Sequence, residues 1–319
     1  MSAYWRLNTQ GDPLTTLSEF FRALWVNENL DMMLVSPDGH GYLLASVEEV
    51  MQVNPFHPMM KVNLACLLVD VVNQHPEKKI GVILRACELR ALHELASRGV
   101  VNQASLLTIC VDCLGTYPVE EVKWREERLS LSHDITEEAL RFAPQGGIAT
   151  YRYRPACQVC VNPSATAGMI NIGVLGLPVR KEMLVSAPEG KLTLAAITHG
   201  AADDKLIIKR EKMLEKIIER QQHTRSVMIE NLDSSLPGDV DSLLDHLQEC
   251  GGCHQCRDVC PICSAIAPHQ DRDGRLEKED VLQWLASCAG CGMCEQACPH
   301  ALPLTAIFNR IRDQQKRII

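Results

Sequence analysis

IGVILRACELRALHELASRGVVNQASLLTICVDC, residues 80–113, decides the fold of the first half of this chain. Ile80 to Leu84 is a short β-branched apolar run, read as a buried strand. Glu88 to Ser97 places Leu89, Leu92 and Leu95 on one face of a helix. Leu106 to Val111 is a second buried strand. A strand, a helix and a strand in that order predict a parallel pair with a crossover helix. Each strand is followed by a cysteine, Cys87 and Cys113, at the end where a parallel sheet opens its crevice.

The same alternation extends in both directions. Leu14 to Asn27 has Leu17, Phe20, Phe21 and Leu24 at helical spacing, with Thr and Ser as caps. Met32 to Val35 reads as a strand, Val47 to Val53 as a short helix and Val62 to Asn73 as a longer one. Ile170 to Val174 and Leu192 to Ile197 read as later strands. Asp204 to Leu232 is a charged helix with Met213, Ile217 and Ile218 as a buried stripe, expected to pack on the core. These elements predict an α/β domain with a mostly parallel sheet over residues 1–235. The loop SSLPGDVD (Ser234 to Asp241) marks its end. A small, mainly α-helical domain follows over residues 236–319, with helices at Leu276 to Ala286 and after Pro299.

Composition narrows the class. The chain has 319 residues, 46% hydrophobic and 23% charged, which is ordinary for a globular protein and excludes disordered and fibrous classes. The net charge of −8 and pI near 5.8 argue against a nucleic-acid partner. No apolar run approaches the ~18 residues of a transmembrane segment, and no secretory signal is visible at the start. A cytoplasmic location is expected. In that compartment 15 cysteines point to metal or catalysis rather than to disulfides.

Two runs near the end carry the chemistry. Cys250, Cys253, Cys256 and Cys260 precede Pro261; Cys288, Cys291, Cys294 and Cys298 precede Pro299. Three cysteines at intervals of three, a fourth four residues on and then Pro form the two-cluster ferredoxin pattern. Three thiolates at that interval come from one tight loop, while the fourth starts the next element and points away. The expected ligation is therefore crossed. Cys250, Cys253, Cys256 and Cys298 hold one [4Fe–4S] cluster, and Cys288, Cys291, Cys294 and Cys260 the other. Structural zinc sites use separated pairs of ligands and do not explain this pattern twice over. Cys263 is surplus, a neighbour rather than a ligand.

In the first half, Cys87, Cys113 and the C-x-x-C of Cys157 and Cys160 make four thiols in loop-like positions. Spacing alone leaves three readings open: a third [4Fe–4S] cluster, a zinc site or a redox-active thiol pair.

Beyond spacing, the sequence resembles the β subunits of coenzyme F-420-reducing hydrogenases and related formate dehydrogenases. The likeness lies in ordered motifs over about residues 15 to 200: LASVEEVMQVNPFHP (44–58), GVILRACELRALHEL (81–95), VDCLGTY (111–117) and RPACQVCVNPSATAGMINIGVLGLP (154–178). It implies Cys87, Cys113, Cys157 and Cys160 as ligands of a third [4Fe–4S] cluster, leaving Cys66 and Cys110 as small buried apolar residues. It also implies FAD exchanging a hydride with the deazaflavin. The family's glycine-rich turn near the flavin is replaced here by TTLSEFFRALWVNENLD, without a glycine pair, so no flavin ligand or catalytic residue is named. Two functions follow as expectations. One is an electron-transfer subunit of a formate dehydrogenase or F-420 hydrogenase type of complex, with FAD as a possible further cofactor. The other is a flavin-free relay between a metal-containing subunit, of hydrogenase, formate dehydrogenase or heterodisulfide reductase type, and another acceptor.

Overall fold

A computed structural model describes residues 2–129, 132–147, 152–190, 194–233, 239, 242–243, 253–266 and 278–318. The elements up to residue 233 are β1 (Ser2–Asn8), α1 (Pro13–Glu28), β2 (Met32–Val35), β3 (Tyr42–Leu44), α2 (Leu64–Gln74), β4 (Ile80–Arg85), α3 (Ala86–Ser97), β5 (Leu106–Val111), α4 (Val119–Leu129), α5 (Ser132–Phe142), α6 (Pro155–Gln158), β6 (Ile170–Gly173), β7 (Glu182–Pro188) and α7 (Asp204–Asp233). The strands form one sheet in the order β1-β7-β6-β5-β4-β2-β3. Its centre, β6-β5-β4-β2, is parallel, and antiparallel neighbours close both edges.

All six residues of β4 and all six of β5 are buried, as expected of parallel strands covered on both faces. Side chains alternate across the pleat. Ile83, Leu107, Ile109 and Val111 join the core under α1, while Val82, Leu84, Leu106 and Cys110 join the core under α2 and α3. The helix expected from Val62 begins at Leu64, because the Asn63 side chain accepts from Ala65 N and caps it there. Val47–Gln52 is a 3-10 turn whose Glu49 accepts from Ser46 N at 3.0 Å.

The sheet edges differ from expectation. The strand expected at Leu192 to Ile197 is a 3-10 turn over Leu194–Ala196; Leu192 itself lies outside the described residues. The strand that pairs in this region is β7, and the chain after the turn runs beside β1 through His199 N to Arg6 O at 2.8 Å. Long helix α7 packs on the core as its pattern required. Ile217 is buried, and the Arg210 guanidinium pairs with Asp112 at 2.7 Å.

The C-terminal region is helical: α8 (Gln255–Asp258), α9 (Lys278–Ala286), α10 (Met293–Ala297) and α11 (Leu304–Ile318). Leu243, Val281, Leu285, Leu304, Ile307, Phe308 and Ile311 form its core. The expected domain boundary at 235/236 lies outside the described residues. This is an α/β region with a mostly parallel mixed sheet, followed by a helical, cysteine-rich region.

Candidate metal centre

The register of the central strands positions the first group of thiols. Arg85 of β4 pairs with Val111 of β5. Cys87 and Cys113 each stand two residues beyond, so both leave the sheet at one level. Cys87 enters α3, whose first turn is held by Glu88 accepting from Arg85 N at 2.8 Å. Cys113 N donates to Pro163 O at 2.8 Å, which draws in the loop after the C-x-x-C. Cys157 and Cys160 straddle the end of the single turn α6. Gly115 bends the chain at φ +90°, and a Cβ there would meet the Tyr153 ring, so only glycine lets these two loops touch.

All four thiols reach one cavity. Cys87, Cys113, Cys157 and Cys160 line a space of about 550 Å³ that includes some open solvent. α7 closes one side through Ile217 and Gln221, and Gly290 and Cys291 of the C-terminal region close another. Four sulfurs around a shared space match the donor set of a four-iron cube. Among the described residues no group of three or more His, Cys, Asp or Glu is already drawn together tightly enough to hold a metal ion.

Electrostatics differ among the four. Burial pushes the Cys87 thiol up, and neighbouring Cys113 adds to it. Cys113 is raised by burial and by Cys157, and Cys160 by burial with Arg90 opposing. Cys157 goes the other way. Burial opposes its thiolate, but the charge of Arg154 and hydrogen bonds from Thr116 outweigh this and hold it below the ordinary thiol value. The Thr116 hydroxyl lies 3.2 Å from the Cys157 sulfur.

In the C-terminal region, Cys250 lies outside the described residues. Cys253 is exposed, while Cys256, Cys260, Cys294 and Cys298 are half-buried. Cys256, Cys294 and Cys298 border the same apolar core. Burial raises the thiols of Cys288, Cys291 and Cys294, and the nearby Cys260 raises each further, with Cys291 pushed up to about 12. Cys260 thus lies within electrostatic reach of all three of these cysteines of the second run. Cys263, buried, donates its N–H to the Cys260 sulfur at 3.5 Å. Its own sulfur accepts from Trp284 Nε1 at 2.9 Å. Hydrogen bonding to Cys263 brings the Cys260 thiol down to about 7 against the opposing effect of burial.

The two groups are stitched together. Arg90 donates from Nε and Nη2 to Ala289 O at 3.2 and 2.9 Å and from Nη1 to Asn162 O at 3.3 Å. Gln296 Nε2 donates to Met60 O at 3.1 Å. Gly292, at φ +69°, lies so close to Ala156 that a Cβ would overlap it. Cys110 is buried in the core as expected. Cys66 is half-buried, with its sulfur 3.8 Å from Val259 O and beside Cys291 and Cys260, so it faces the thiol groups rather than the apolar interior. The sequence did not signal Arg154, Thr116, Met60 or Met293 as part of this environment; the one available signal was an arginine directly before the PAC of the C-x-x-C.

Residues 246–302 match the family described as a 4Fe-4S dicluster domain. The C-terminal region is therefore an iron–sulfur, ferredoxin-like domain, which supports an electron-transfer role. No helix among the described residues is long and apolar enough to cross a membrane.

Proposed function

We propose that this chain is the iron–sulfur electron-transfer subunit of a cytoplasmic oxidoreductase complex, similar to the β subunit of a formate dehydrogenase or coenzyme F-420 hydrogenase, and that it holds three [4Fe–4S] clusters. The C-terminal pair uses Cys250, Cys253, Cys256 and Cys298, and Cys260, Cys288, Cys291 and Cys294. The third uses Cys87, Cys113, Cys157 and Cys160. The observation that carries this reading is the shared cavity: four thiols from three separate loops of the α/β domain line one space, and Cys291 of the second C-terminal run stands in its wall. Such clusters supply one-electron redox chemistry. The chain's own residues supply the thiols, line the space with the apolar side chains of Ile217 and Leu175, and set the local field through Arg90 and Arg154.

Of the two functional readings, the flavin-free relay is favoured by α1. Where the related family has a glycine-rich turn, this chain has a helix capped by Asp12, whose Oδ1 accepts from Thr15 N at 3.1 Å. Leu17, Phe20, Phe21 and Leu24 of that helix are buried in the core. Backbone that glycines would open to a phosphate is here committed to packing. The partners are then a metal-containing catalytic subunit and an acceptor subunit.

Iron and acid-labile sulfide of anaerobically purified protein test the reading. About twelve of each per chain are expected from three four-iron clusters. Cys87→Ser should lose about four irons and one electron paramagnetic resonance signal. About eight irons in the wild type would remove the third cluster. Flavin absorbance in the same sample would replace the relay with the flavin enzyme.

A further inference from the structure

Arg154 is 3% exposed and lies between the two cysteine groups. Its Nε donates to Thr116 Oγ1 at 2.7 Å. Its Nη1 donates to Gln296 Oε1 at 3.1 Å and lies 3.4 Å from Met293 Sδ. Its Nη2 lies 3.5 Å from Met60 Sδ and 3.9 Å from Cys157 Sγ. Every one of these partners is a neutral oxygen or a sulfur. Glu295, on the helix that carries Gln296, feels the guanidinium only through space, and its carboxylate accepts from Thr305 N at 2.9 Å. Besides Glu295, the ionisable groups whose charge acts on Arg154 are Cys157, Cys87 and Cys291. Met60, Met293 and Cys291 form one buried apolar island that Cys87 packs against, which lowers the local dielectric beside the guanidinium.

A buried guanidinium with no carboxylate hydrogen-bonded to it is costly. The stable alternative is that the counter-charge lies in the thiolate groups themselves. A cube held by four thiolates is net negative and becomes more so when reduced. A fixed cation beside it therefore favours the reduced form, the more so at low local dielectric.

We propose that Arg154 is a positioning residue that acts as the shared counter-charge of two clusters, raising the reduction potentials of the one held by Cys87, Cys113, Cys157 and Cys160 and, less strongly, of the one held by Cys260, Cys288, Cys291 and Cys294. This rests on the three-cluster reading above. The arrangement gives the interface between the two regions an electrical role as well as a mechanical one. Electrons arriving at either group meet the same cation, so the two potentials move together.

The test uses the full chain purified anaerobically, as wild type, Arg154→Met and Arg154→Lys. Iron is counted first, then potentials are read by titration followed by electron paramagnetic resonance. The signal missing in Cys87→Ser identifies the N-terminal cluster. In Arg154→Met that cluster should keep its iron and become harder to reduce by about tenfold in its one-electron equilibrium, which is about 59 mV. The second cluster should shift the same way by less, and the cluster of Cys253, Cys256 and Cys298 should not move. Arg154→Lys, which keeps the charge, should stay near wild type. Unchanged potentials in Arg154→Met, or an equal shift in both variants, would overturn the inference while the three clusters stand. If Arg154→Met loses iron, full iron and wild-type potentials in Arg154→Lys uphold it, and iron loss in both overturns it. A wild type with only about eight irons defeats the cluster reading itself, and is distinguishable because it appears before any variant is made.

Discussion

In the α/β region, β4 and β5 are buried along their whole length, and helices seal apolar cores on both faces of the sheet. In the C-terminal region, α9 and α11 share one small core, and the cysteine-bearing stretches around α8 and α10 are loops and single turns on its rim. The first region has enough apolar burial to be ordered without any ligand. The second has short helices that are marginal on their own and crowded thiols whose ionisation burial opposes. The difference teaches that the same chain uses two sources of order. In the sheet it is side-chain packing, and in the cysteine-rich region it is the free energy of ligand bonds, which then counts as folding free energy.

Iron removal should produce the largest effect and can break this contrast outright. Anaerobic chelation is expected to expose 253–266 and 278–298 to limited proteolysis and to abolish hydrogen-exchange protection there, while 80–111 stays protected. Protection lost equally in both regions would show that the clusters hold the sheet as well. Protection kept in both would show that the helices need no metal.

The converse test strikes the sheet at the edge of the cavity. Asp112 is fully buried and accepts from Ala165 N, Val174 N and Leu175 N at 2.8 Å each, besides Arg210 at 2.7 Å. One carboxylate thus ties the ends of β5 and β6 to α7. Asp112→Ala leaves a buried guanidinium and three amides without their partner, and should cost about 3–5 kcal/mol in urea unfolding. The loss should fall on the unfolding of the α/β region. A cost below about 1 kcal/mol would place Asp112 among ordinary surface pairs.

How far the sequence could be read follows from the same contrast. β4 and β5 are legible because burial on both faces writes a continuous apolar run. β1 (SAYWRLN) at the sheet's edge is mostly half-buried or exposed and carries no such run, so the signal went instead to Leu192–Ile197. In the C-terminal region the cysteines lie close together in sequence, so spacing alone displays their pattern. The N-terminal thiols come from three loops, and their convergence was legible only through strand ends and family resemblance. Arg154 shows the limit. Thr116, Met60, Met293 and Gln296, which surround it, are distant in sequence, and no periodicity or spacing rule joins them.

A smaller effect separates the two regions by pH. His57 is 5% exposed, and its carbonyl accepts from Arg85 Nη2 at 2.7 Å. Burial, and then the charge of Arg85, bring its pKa down from 6.5 to about 4. Between those values the unfolded chain binds a proton that the folded chain refuses. Stability contributed by neutral His57 is complete above about pH 6.5 and is lost as pH falls toward about 4. The loss should reach about 2 kcal/mol by about pH 5. Acid also protonates cysteine ligands, so a falling stability in the wild type alone would not tell sheet from cluster. His57→Gln has no titrating ring and should lack this part of the slope at equal iron content. Parallel slopes for the two proteins would mean that His57 is protonated without cost. A flatter slope for the variant would assign the acid sensitivity to the loop that carries Met60, and so connect packing of the sheet to the surroundings of Arg154.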